Sequence, residues 1–198
     1  MLTEKFDKEN YKITEEFMSV KKSNFLLSVI LLPIFTAATC GYLLLWDYAN
    51  IFATFFKITF LLELLIMAVA IFIFLAVAMI VKAIMLSRFA DDKFNSVKFK
   101  IIKESQKPYC CIKEPIKVGQ YQLCLAIYII IAGIIPYILA LIVGDFIFIL
   151  ASFICIFFVG GDLLLFILLF REKSDTYVLD FEGIMLYRLY ESKKIIRR

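Results

Sequence analysis

Residues 146–170 read FIFILASFICIFFVGGDLLLFILLF, an apolar run of bilayer length broken by one ionisable residue, Asp162. A hydrocarbon core about 30 Å thick takes roughly 20 helical residues, and lipid offers no partner for an unpaired backbone amide, so a run of this kind spans as a helix. Barrel strands would alternate apolar and polar residues, which this stretch does not do. Working outward, Leu123–Val143 and Phe25–Trp46 carry no charge, and Ile58–Val81 carries only Glu63. The sequence therefore predicts an all-α membrane bundle of four transmembrane helices in two hairpins, occupying residues 25–170 with spans at 25–46, 58–81, 123–143 and 146–170. Pro33 and Pro136 fall inside two of the runs, where neighbouring helices can cover the carbonyls they free. The first run reads as a retained anchor rather than a secretory signal, because it is longer than a signal core and follows a long charged stretch.

Composition points the same way. Of 198 residues, 63% are hydrophobic, against about 45–50% in soluble domains. That excess excludes a soluble enzyme, a disordered tail and a disulfide scaffold. There is no His in the chain, which removes imidazole bases, imidazole metal ligands and His proton switches. Lys and Arg are distributed unevenly: residues 1–24, 82–122 and 171–198 hold 21 of the 22, and the outer segment 47–57 holds only Lys57. The positive-inside rule then places both termini and the loop 82–122 in the cytoplasm, with tight turns at Asp47–Asn50 and Gly144–Asp145 outside.

The cytoplasmic segments carry patterns of their own. Val97, Phe99 and Ile101 alternate with Lys98 and Lys100, the period of a half-buried strand. Partners for it are Tyr109–Ile112, after the turn-like Glu104–Pro108, and the tail segments Tyr177–Phe181 and Ile184–Tyr190 around Gly183, so a small cytoplasmic antiparallel β element against the membrane face is expected. In the N-terminal segment 1–24, Ile13, Phe17 and Val20 recur among charged residues as on an amphipathic helix at the headgroups. Cys40, Cys124 and Cys155 lie in spans and Cys110 and Cys111 in the loop, so no disulfide is expected, and the adjacent pair lacks the further ligands a zinc site needs.

Ionisable groups inside spans are expensive, which makes each a functional candidate. Glu63 lies in the outer turns of the second span, where a carboxylate can reach water. Asp162 sits eight residues before Phe170, about 12 Å along the helix, too deep for its short side chain to reach the surface. Gly160 and Gly161 precede it and allow a neighbouring helix to approach. The expectation is that Asp162 faces the bundle interior, either protonated or paired with a cation.

Four motifs in order then resemble a known family: Pro108-Tyr109-Cys110-Cys111-Ile112-Lys113-Glu114-Pro115-Ile116-Lys117, Gly133-Ile134-Ile135-Pro136-Tyr137, Gly160-Gly161-Asp162, and Val178-Leu179-Asp180-Phe181-Glu182-Gly183. Over roughly residues 55–190 the chain is similar to a bacterial integral-membrane family described as zincin-type peptidases of unknown function. The resemblance implies a zinc-binding His-Glu-x-x-His at the end of the second span and a further ligand at Asp162. The matching stretch here is Lys82-Ala83-Ile84-Met85-Leu86, with neither ligand nor base, Cys110-Cys111 stands where the family often has Cys-His-Cys, and Asp180-Phe181 where it has Asp-His.

These readings lead to an expected degenerate member, a pseudoenzyme of the bacterial cytoplasmic membrane acting as a binding scaffold, with no catalytic residue, metal or cofactor, in which the Lys82 ammonium, near the cytoplasmic end of the second span, substitutes for the missing metal charge and neutralises Asp162. Membrane lipids and a protein partner or second copy are the expected partners. Nucleic acid is not, since the positive charge follows from topology and is interleaved with acids. Two alternatives stand beside it: a small transporter or channel subunit with Asp162 on a cation path, and an intramembrane hydrolase using Glu63 and Asp162.

Overall fold

The computed structural model describes residues 11–17, 20–46, 60–101, 108–174, 176–181 and 186–192. Among them are four helices long and apolar enough to cross a membrane. Helix α1 is Val20–Leu45, α2 is Phe60–Phe89, α3 is Val118–Val143 and α4 is Phe146–Leu169. Helix α4 is central and packs against each of the other three, while α2 packs on α3 and α4.

Three boundaries differ by five residues or more from the sequence reading, the first being the start of α1, at Val20 rather than Phe25. Helix α2 runs eight residues beyond Val81, and α3 starts at Val118, so the loop expected over 82–122 is shorter at both ends. No Gly or Pro interrupts residues 82–89, and a Lys whose charge is paired gives the helix no reason to stop there. Pro136 is absorbed by a π turn over Ile130–Ile134 immediately before it, which widens the helix where the missing amide would otherwise leave a gap. In α1, Thr36 and Thr39 return their hydroxyls to the carbonyls of Leu32 and Phe35, at 2.9 and 2.8 Å, so neither is left bare among apolar neighbours.

The strands form two sheets rather than the single one expected. Strands β2 (Val97–Ile101) and β3 (Pro108–Ile112) make a hairpin of their own, with Val97 opposite Ile112 and Phe99 opposite Cys110. The tail strands β5 (Tyr177–Phe181) and β6 (Leu186–Ser192) pair with each other, and the sheet is completed by β4 (Ile116–Lys117) on one side and β1 (Tyr11–Phe17) on the other. The amphipathic helix expected around Ile13 and Phe17 is therefore a strand up to Phe17, and only Val20 is helical, as the first residue of α1. Tyr11, Ile13 and Phe17 also fit a period of two, and β6 supplies along all of 11–17 the backbone partners that a short surface helix would lack. The turns expected at Asp47–Asn50 and Glu104–Pro108, and Gly183, lie wholly or largely outside the described residues.

Because β1 precedes α1, β2 to β4 lie between α2 and α3, and β5 follows α4, the strand pairings gather both terminal segments and the central loop at one end of the bundle. The largest core lies there: Leu86 of α2, Ala90 just after it, Tyr121 and Leu125 of α3 and Leu169 of α4 meet Ile112, Ile116 and Val178 from the strands. The amides of Val118 and Gly119, which open α3 and have no intrahelical acceptor, donate to Thr176 and Ser174 at the approach to β5.

The other end is closed by aromatic side chains with polar tips. The Tyr42 hydroxyl donates to the Gly144 carbonyl at 3.0 Å, Trp46 Nε1 to Leu141 at 2.9 Å, and Tyr137 to Ala38 at 2.9 Å, tying α1 to the α3–α4 turn. In that turn Gly144 has φ +72°, and Asp145 caps α4 by accepting from the Ile147 amide. A Cβ on Gly144 would run into the Trp46 indole. Gly144→Ala is therefore expected to lower the detergent melting midpoint, with about 1–2 kcal/mol lost to the left-handed backbone alone and more to the collision. A thermal melt followed by size-exclusion chromatography checks this.

Candidate functional site

One polar layer crosses the apolar interior. Lys82 Nζ donates to Asp162 Oδ1 at 2.6 Å, with the lysine side chain 2% and the aspartate side chain 9% exposed. Lys82 lies seven residues before the end of α2, and Asp162 seven before the end of α4, so both stand about 11 Å below the strand-bearing end. Neither helix can turn about its own axis without parting the two charges.

The third wall comes from α3. The Tyr128 ring lies under the ammonium, 5.1 Å from Nζ to the ring centre, so the cation meets a carboxylate on one side and an aromatic face on another. One turn toward the strands, Ala83, Leu86, Cys124 and Leu165 belong to the large core; one turn the other way, Ala78, Ala132 and Val159 pack around Tyr128. Thus α2, α3 and α4 each contribute one side chain to the layer, sealed above and below by apolar contacts.

The glycines before Asp162 act as local geometry requires. A Cβ on Gly160 would meet Leu27 Cδ1 at 2.7 Å, so α1 packs closely on α4 at that point. Gly160 thereby admits α1 on one side of the helix while Asp162, two residues on, reaches α2 on another.

The remaining candidates are dispersed. Glu63 is in the first turn of α2; nineteen residues separate it from Lys82, about 28 Å of helix, so it does not share a site with Asp162. Pro108, Tyr109 and Cys110 are in β3, and Asp180 is in β5. The thiols of Cys110, Cys111, Cys124 and Cys155 are buried and that of Cys40 is exposed on α1. Among the described residues, no three of His, Cys, Asp or Glu come together as a metal-ion cluster.

Two contributors were not singled out from the sequence. Tyr128 had a legible signal, since a phenol within an otherwise aliphatic stretch needs a polar neighbour. Glu114, inside the quoted Pro108–Lys117 motif, accepts from the amide of Asp91 at 3.0 Å and from the Ser96 hydroxyl, fastening the hairpin to the end of α2. The neighbouring Lys113 ammonium donates to the Asn95 carbonyl at 2.7 Å.

Chemically, the layer is a closed ion pair. Each charge alone inside a spanning helix costs up to about 2.5–3.5 kcal/mol, the insertion-scale value at the helix centre, and the pair offsets these costs jointly. Lys82→Ala should lower detergent stability by about 3–5 kcal/mol, because it leaves a buried carboxylate without its cation. The double substitution Lys82→Met with Asp162→Asn should recover most of that loss in the same denaturation series. If Lys82→Ala leaves stability unchanged while Asp162→Asn raises it, the two groups do not stabilise each other. No family model, no curated protein and no solved structure matches the chain.

Proposed function

We propose that this chain is a catalytically inactive relative of zincin-type membrane peptidases, working as a binding scaffold in a bacterial cytoplasmic membrane with both termini and the two sheets in the cytoplasm. The observation that carries the reading is the Lys82–Asp162 pair. The zinc implied by the family resemblance does not fit these residues: Lys82 and Leu86 stand at the positions of its two imidazoles, and the carboxylate that would be a further ligand already bonds an ammonium. The orientation rests on the 21 of 22 Lys and Arg in the terminal segments and central loop.

The same geometry weighs against the alternatives. A carboxylate on a cation path needs access, whereas Asp162 is shut in with its own counter-ion. A hydrolase built on Glu63 and Asp162 would need the two acids close together, and they lie near opposite ends of the bundle.

A scaffold also needs surface to offer. Large apolar side chains along the first half of α2, among them Leu61 (77% exposed), Leu65 and Phe72, are left uncovered by the rest of the protein. This is the stretch we assign to a transmembrane partner or a second copy.

Elemental analysis of the purified protein, with Asp162→Ala and a protease assay beside it, should find no stoichiometric zinc and no cleavage. Zinc that disappears in the variant, or cleavage that does, would overturn the scaffold reading. A photo-crosslinker at Leu61 or Leu65 in cells should give a discrete polypeptide adduct; lipid adducts alone would remove the binding role. Reporter fusions at residue 1 and residue 198 should both report the cytoplasmic side.

A further inference from the structure

The β2–β3 hairpin overhangs the bundle. Residues two apart on a strand share a face, and directly opposed residues in an antiparallel pair share one too. By this register Val97, Phe99, Cys110 and Ile112 lie on one face of the hairpin. Cys110 and Ile112 are buried in the core with Leu86 and Ala90, and Val97 packs at its margin, so this face is turned toward the helices. Phe99 is on the same face and is 60% exposed, so the helices do not cover it. Phe94, in the turn Lys93–Ser96 that joins α2 to β2, is 63% exposed.

The helix-facing side of a cap on a membrane bundle is the side turned toward the bilayer. A residue on that side and uncovered by the helices therefore stands over lipid. We infer that Phe94 and Phe99 form an interfacial anchor, their rings entering the headgroup–acyl boundary of the protein's own bilayer. Lys93, just before Phe94, and Arg88, in the last turn of α2, are exposed nearby, while Lys98 lies on the opposite face of the hairpin from Phe99. A phenyl ring beside a cation suits that depth, with the ring among acyl carbons and the cation at phosphate. Asp91 and Asp92 are also exposed here and offset part of the attraction to anionic lipid, so the rings are the main contributors and the cations add to them. Glu114 and Lys113 fasten the base of the hairpin to the segment that follows α2.

The inference rests on the membrane reading, and the test separates the two. The chain has one tryptophan, Trp46. Phe99→Trp and Phe94→Trp, each with Trp46→Phe, are reconstituted in phosphatidylcholine–phosphatidylglycerol vesicles with and without brominated acyl chains. Leu32→Trp in the same background, at an exposed site well inside α1, is the control. Emission from positions 99 and 94 should lie to the blue of the denatured protein and lose intensity in brominated vesicles, with the control also quenched. An unquenched control would overturn the membrane reading itself. A quenched control with positions 94 and 99 unquenched would overturn the anchor alone; red emission open to iodide would then mean water, and blue emission closed to both quenchers a protein contact. If Trp46→Phe does not fold, difference spectra against the protein retaining Trp46 give the same readout.

Discussion

An ammonium and a carboxylate, each too costly to leave alone among apolar helices, fix how three of the four described spanning helices meet. Lys82 and Asp162 sit at matching depth on α2 and α4, joined at 2.6 Å, with Tyr128 of α3 against the cation. Apolar packing in a bilayer tolerates sliding and rotation, because lipid tails are as apolar as the side chains they replace. A single buried polar layer does not: one residue of slip on either helix separates the charges. The pair therefore contributes to choosing one arrangement over its neighbours, which is the use of buried ionic groups best attested elsewhere.

The two ends of the bundle are organised around that layer by different means. Toward the strands, the core continues without interruption from Leu86 and Leu169 into Ile112, Ile116 and Val178, so the sheets and the helices share one interior. At the other end the closure is local, made by Tyr42, Trp46 and Tyr137 reaching backbone carbonyls across α1, α3 and the turn at Gly144. The first half of α2 takes part in neither closure, and its apolar side chains are left to lipid or to a partner.

Much of this arrangement was legible in the sequence, for identifiable reasons. Four uninterrupted apolar runs specify spanning helices because lipid allows no other solution, and Asp162 declared itself by being unable to reach the surface from its depth. Lys82 was legible as a cation near the end of the second span, but its burial was not, since that depends on α2 continuing to Phe89 as part of the core. The hairpin of β2 and β3 followed from strict alternation over Val97–Ile101. Strand β1 did not, because Ile13, Phe17 and Val20 satisfy a helical spacing as well, and the choice is made by β6, a partner more than 160 residues away. Tyr128 was missed for a related reason: a residue becomes part of a site only when another helix brings the charge to it.

What this constellation can do follows from what it has already satisfied. Catalysis and ion transport both require a group held in readiness, whether a carboxylate awaiting a cation, a base awaiting a proton or a metal with an open position. Here the carboxylate has an ammonium, the ammonium has an aromatic face as well, and both are sealed between apolar layers. Such a layer is spent on holding helices in place. On the scaffold reading proposed above, binding would fall to the uncovered side of α2 and the rim of the β2–β3 hairpin, where large apolar side chains remain exposed.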